Sequence, residues 1–190
     1  MKEHVGSDSL KFREGDFVES TDGLIFDVKG LIHPPDWVVA FVRYIPRHTG
    51  DRIRGGIRYQ RMYRLDDRFA FLRRHYPQYI RHDPVFGTEL IAVPVSQIVR
   101  HYQPVSKLKH LYTNSSRTKL QHKAVKLANF IMKLADVPLN KMGVSGSLLV
   151  DLASSSSDID LIVYGIENAY RVNHTLEEQL KIGSFLKPYD

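Results

Sequence analysis

The 190-residue chain is 43% hydrophobic, enough to bury one good core or two small ones, and two modest domains fit best. It has no cysteine, which excludes disulfides and thiolate metal sites, and no apolar run near the ~20 residues of a membrane span, so the expectation is a soluble, unprocessed, cytoplasmic chain with no membrane partner. The formal net charge of +6 is unevenly spread, with sixteen Lys and Arg against five Asp and Glu between residues 51 and 126 but three against seven from 151 to 190. That asymmetry suits a polyanion held by one part and metal ions by the other; the plainer alternative is solvated helix faces.

Residues 1–14 read as a polar lead. From Gly15 to Tyr102 the expectation is a basic, mostly antiparallel β domain. Short runs rich in branched and aromatic residues, at 17–19, 24–32, 37–45 and 57–63, are separated by turn residues such as Thr21-Asp22-Gly23 and Gly55-Gly56. Arg54 to Arg64 interleaves arginine with tyrosine. Cations for phosphate and flat rings for bases make Arg58, Tyr59, Arg61 and Tyr63 candidate RNA-binding residues, the alternative being a hairpin edge protected by charge.

Leu65 to Ile80 carries apolar residues at helical steps, with Asp66 and Asp67 in its first turn, Arg73 and Arg74 near its end, and Pro77 to end or bend it. A strand at 89–95 and a short helix at 96–102 are expected to close the first domain. A polar connector, 103–115, follows. Residues 116–135 give the firmest helical pattern, with Leu120, Ala124, Leu127, Ala128, Ile131, Leu134 and Ala135 on one face. The nine histidines are scattered without metal-ligand spacing, so zinc is not expected.

The stretch from 142 to 164 holds most of the chemistry. An apolar strand, Met142 to Val144, runs into Ser145-Gly146-Ser147, a helical run at 148–153, four serines at 154–157 and a second strand, Asp158 to Tyr164. Gly146 permits a tight turn and a close ligand approach, so a phosphate is expected against Gly146 and Ser147 where free amides and the helix dipole favour an anion. Alternation along the second strand projects Asp158 and Asp160 to one side and Ile159 and Leu161 to the other. Two carboxylates so close repel each other unless a cation lies between them. The serine run reads either as a flexible loop over that site or as a polar linker. The competing reading is an ordinary βαβ corner with solvated aspartates.

The pairing of Ser145-Gly146-Ser147 with Asp158-Ile159-Asp160, twelve residues after the glycine, resembles the nucleotidyltransferases of the DNA polymerase beta superfamily. Their signature has an apolar residue before the glycine, where this chain has Ser145. The whole-chain pattern also resembles a group of archaeal proteins labelled predicted nucleotidyltransferases. With the small, mostly antiparallel β domain read from the first part of the chain, the resemblance implies an α+β fold in which a helix and an incomplete nucleotidyltransferase-like α/β core follow at 116–190. It also implies transfer of a nucleoside monophosphate from an NTP to an acceptor hydroxyl, RNA being one candidate. Asp158 and Asp160 would hold two Mg²⁺ ions and act as the catalytic and metal-binding pair, with Gly146 and Ser147 on the phosphates.

The resembled enzymes also need a third carboxylate from a later strand. After Tyr164 the chain offers Glu167, Glu177, Glu178 and Asp190, none on an evident strand. Residues 166–182 look helical, which leaves the catalytic sheet short, so a missing C-terminal segment or a second copy is expected to cover it. Without a third ligand, the alternative is a nucleotide- or RNA-binding module without turnover. A purely structural interaction domain is a further possibility.

Overall fold

In the computed structural model, residues 12–183 are described; the polar lead before Phe12 and the end of the chain, including Asp190, lie outside them. The branched and aromatic runs form β1 (Phe17–Ser20), β2 (Ile25–Val28), β3 (Trp37–Pro46), β4 (Arg52–Arg54) and β5 (Ile57–Arg61). Helix α1 (Leu65–His75) is followed by β6 (Ile80–Asp83), β7 (Thr88–Pro94) and β8 (Ile98–Tyr102). All the pairings are antiparallel, along the path β4-β5-β3-β2-β1-β8, and the first residues of β3 also pair with β7, which pairs with β6.

Alternate residues of β3, Val38, Ala40 and Val42, are fully buried with Val18, Phe26, Val28 and Leu72 of α1. Phe12, expected in the polar lead, belongs to the same core. Helix α1 carries the expected acidic first turn and basic last turn but stops at His75. Tyr76 precedes Pro77, which disfavours helical geometry at that residue, and its φ of −145° and ψ of 58° are outside the helix.

Two expectations for the first unit are corrected. Residues 96–102 are not a helix: a single 3-10 turn, Val95–Gln97, leads into β8, whose backbone pairs with β1 at Phe17↔Tyr102 and Val18↔His101. A run this short is ambiguous by periodicity, and the open edge of β1 decides it. The presumed connector contains helix α2 (Pro104–Thr113), with Leu108 and Leu111 buried. Pro104 occupies the first helical position, where a missing N–H costs no helical hydrogen bond.

The second unit continues with α3 (Lys119–Ala135), capped by Thr118, whose side chain accepts from the Gln121 backbone N–H while its own N–H donates to the Gln121 side chain. Then come β9 (Met142–Val144), a one-turn helix α4 (Gly146–Leu149), β10 (Leu161–Val163) and α5 (Ile166–Lys181). Strands β9 and β10 run antiparallel, with Val144 opposite Leu161 and Met142 opposite Val163, so the segment is not a βαβ corner. The expected helical run at 148–153 is reduced to the single turn of α4. The strand expected from Asp158 begins at Leu161, although the Ser145 N–H still donates to the Asp160 carbonyl at 2.8 Å. Antiparallel strands with separately placed helices make this an α+β fold.

A third core joins the units: Phe17, Ile25, Tyr44 and Tyr59 of the sheet pack with Leu149, Val150 and Leu152. Polar clasps surround it. Arg54 donates to the Val150 carbonyl at 3.3 Å, Tyr102 Oη at 2.7 Å and Glu19 at 2.7 Å. Ser145 Oγ donates to the Gly15 carbonyl at 2.7 Å. A cleft opens between the two units beside this junction.

Candidate functional site

The end of β9 delivers Ser145 in extended geometry, and Gly146 then turns with φ +61°. A Cβ on Gly146 would lie 1.9 Å from Asp160 Oδ2, so only glycine lets that carboxylate rest against the turn. Ile159, Leu161 and Val163 pack into the second unit's core. Asp158 and Asp160, on alternate positions, are left facing the cleft. Gly146, Ser147, Asp158 and Asp160 all line one cavity of about 690 Å³.

Among the described residues, neither aspartate side chain has a hydrogen bond or ion pair to the protein. The serine run before them does not hang free. Ser154 N–H donates to Ser157 Oγ at 2.9 Å, and Arg52 of β4 reaches across to the same Oγ at 2.9 Å and to the Leu152 carbonyl at 3.5 Å. With α4 only four residues long, the dipole expected behind the phosphate turn is correspondingly small; the turn's amides and the Ser147 hydroxyl remain as donors.

The opposite wall belongs to the first unit. Arg13, Asp27, Lys29, Arg43, Tyr44 and Arg61 reach the same cavity. Lys29 is neutralised by Asp27 at 3.2 Å and Glu14 at 3.5 Å, and the Arg13 guanidinium lies 4.3 Å from the centre of the Tyr164 ring. Arg43 and Arg61 have no ion pair among the described residues. Burial pushes the Tyr44 phenol up, against the opposing pull of Arg61 and Arg43, and burial likewise raises that of Tyr164. Three buried polar atoms of cavity residues have no hydrogen-bond partner among the described residues: Asp27 Oδ1, Arg61 Nε and Tyr164 Oη.

Glu167, Glu177 and Glu178 all lie on α5, and none of them lines the cavity. The further acids at the cavity, Glu14 and Asp27, come from the first unit and are engaged by Lys29. No group of three His, Cys, Asp or Glu residues is placed to hold one ion among the described residues.

The arginine-tyrosine strand does not form a single platform. Tyr59 is only 1% exposed, with its ring 5.2 Å from the Arg54 guanidinium and its hydroxyl accepting from Arg54 at 3.1 Å, so it has no face for a base. Its side chain belongs to the core between the units, which overrides its place in an otherwise polar strand. Arg58 donates to the Gly50 carbonyl at 3.1 Å, Arg61 turns to the cleft, and Tyr63 stays open at 66% exposure. Sequence reasoning missed Arg13, Lys29, Arg43 and Tyr44. The signal for Arg43 was a lone charge inside the apolar run from Trp37 to Ile45.

No helix among the described residues is long and apolar enough to cross a membrane. No protein-family model matches the sequence, and no solved structure matches it. The chain is 31% identical to a protein of Methanocaldococcus jannaschii named "Uncharacterized protein MJ1086", with 94% of this chain aligned to 55% of that protein. It therefore spans about half the length of that relative.

Proposed function

We propose that the cleft is a metal-dependent nucleotidyl-transfer site, moving a nucleoside monophosphate from an NTP to an acceptor hydroxyl with release of pyrophosphate. One observation carries the reading: Asp158 and Asp160, whose side chains make no hydrogen bond or ion pair among the described residues, share a cavity with the glycine turn against which Asp160 is seated. The donor set fits Mg²⁺, since both groups are hard oxygen ligands that make no ion pair among the described residues. Bound there, Mg²⁺ would neutralise phosphate charge and lower the pKa of the attacking hydroxyl.

The chain's own residues orient and screen. Gly146 makes room for the Asp160 carboxylate at the turn, Ser147 and the turn's amides would offer donors to a phosphate, and Asp158 and Asp160 would hold the ion. Ser145 fixes the turn against the first unit through Gly15, and Arg52 fixes the loop that carries Asp158. Phosphoryl chemistry depends chiefly on such positioning and charge.

A second reading is favoured because no third acid is grouped with the pair among the described residues: a module that binds Mg²⁺ and nucleotide without turnover. Pyrophosphate release from each NTP with Mg²⁺, with RNA oligonucleotides, proteins and small alcohols as acceptors, separates the two. Release that is lost in Asp158→Asn supports transfer. Magnesium-dependent binding without release supports the module, and absence of both removes the two readings together.

A further inference from the structure

We infer that Arg43 and Arg61 form a second anion subsite on the first unit's sheet, across the cavity from the aspartate pair, and that it takes a phosphate group. The inference rests on the nucleotide reading of the cleft only for what carries that phosphate.

The two arginines lie on neighbouring strands. Arg61 is opposite Tyr44 in the β3–β5 ladder, and the Met62 N–H donates to the Arg43 carbonyl at 2.8 Å. A third guanidinium, Arg68 of α1, is only 5% exposed and donates to the carbonyls of Met62 and Tyr63 at 3.1 and 3.2 Å. Burial lowers the Arg68 pKa, with Asp27 pulling it up and the charges of Arg43 and Arg61 pushing it down, so the three arginines are close enough to feel one another. Asp27, the acid among them, already faces Lys29 at 3.2 Å.

The wall therefore holds surplus positive charge in a partly dry setting. It also holds a buried donor, Arg61 Nε, that has no hydrogen-bond partner among the described residues. Like charges gathered in excess of their counter-ions raise the free energy of the folded chain, and an anion relieves this. Guanidinium forks match the paired oxygens of a phosphate, and charge-assisted bonds of this type are the strong ones. The cavity of about 690 Å³ has room for a nucleotide spanning both walls, or for one beside a small phosphorylated acceptor.

The test is calorimetric titration of the full chain with inorganic tripolyphosphate in EDTA, so that no metal contributes. Wild type should bind, and Arg43→Gln and Arg61→Gln should each weaken binding about tenfold or more. Arg61→Lys should fall between, and Asp158→Asn with Asp160→Asn should bind as well as wild type or better. Circular dichroism confirms folding; if Arg61→Gln does not fold, Arg43→Gln carries the test, its side chain making no hydrogen bond or ion pair among the described residues. Equal binding by wild type and both arginine variants, no wild-type binding at millimolar probe, or loss confined to the aspartate variant overturns the inference.

Repeating the titration on protein saturated with a magnesium complex of a non-hydrolysable NTP identifies the carrier. A displaced probe assigns the subsite to the nucleotide's own triphosphate, and a retained one to a phosphate on the acceptor. Metal-free probe binding that depends on Arg43 and Arg61, together with NTP binding indifferent to Mg²⁺, would uphold this subsite while removing the transfer reading.

Discussion

Gly146 and Asp160 approach so closely that a methyl group on the glycine would overlap the carboxylate, 1.9 Å from Oδ2, while the backbone there already holds φ +61°. Gly146→Ala therefore faces both strain and a clash with the proposed metal ligand. We expect a stability loss of roughly 1–3 kcal/mol by urea unfolding. Magnesium-dependent nucleotide affinity should fall about tenfold, the equivalent of one lost hydrogen bond to a charged group. A variant that binds as wild type would separate the turn from the site.

Arg52 joins β4 to the serine run through Ser157 Oγ and the Leu152 carbonyl. Removing it in Arg52→Ala should cost about 1–2 kcal/mol, because two acceptors lose a partly buried cationic donor. Amide hydrogen exchange at residues 152–158 should quicken by a similar free energy, loosening the approach to Asp158. Unchanged exchange would mean that the turn's internal bonds hold it alone.

The core shared by Tyr44, Tyr59, Leu149, Val150 and Leu152 predicts that the two units unfold together. Leu149, 2% exposed, is the probe: Leu149→Ala should destabilise by about 2–5 kcal/mol and move one transition, as seen by tryptophan fluorescence and circular dichroism alike. Trp37 in β3 reports on the first unit, so non-coincident curves would show that the units melt separately.

Tyr79 is fully buried and donates its hydroxyl to Asp22; burial first, then that hydrogen bond, pushes its phenol up to about 12 from an ordinary 10.0. A raised folded pKa favours the protonated state, so its stabilising contribution is complete below pH ~10 and is lost as pH rises towards ~12. Urea midpoints for Tyr79→Phe should decline less steeply than wild type across that window. Parallel declines would place the alkaline sensitivity at other groups.

What could be read in the sequence was whatever local chemistry decides. The apolar face of α3 with its stop before Pro138, the acidic and basic ends of α1, and the alternation that sends Ile159 and Leu161 inward while Asp158 and Asp160 face the cleft all depend on near neighbours. The misreadings arose where distant partners decide. β8 is a strand because β1 presents a free edge, α2 is a helix with its buried leucines in the second core, and Tyr59 is buried because Leu149, Val150 and Leu152 cover the sheet. The basic wall of the cavity was hidden for the same reason: Arg43 and Asp160 are far apart in the chain and line one cavity only in the folded molecule.

Calorimetric titration of each NTP with and without Mg²⁺, on wild type and on Asp158→Asn with Asp160→Asn, tests the central claim most directly. Binding that requires Mg²⁺ and falls about a hundredfold or more in the double variant is the predicted result, since two charged ligands are removed from the ion. Nucleotide binding that is equally tight in EDTA, or that persists undiminished without the two carboxylates, would contradict it.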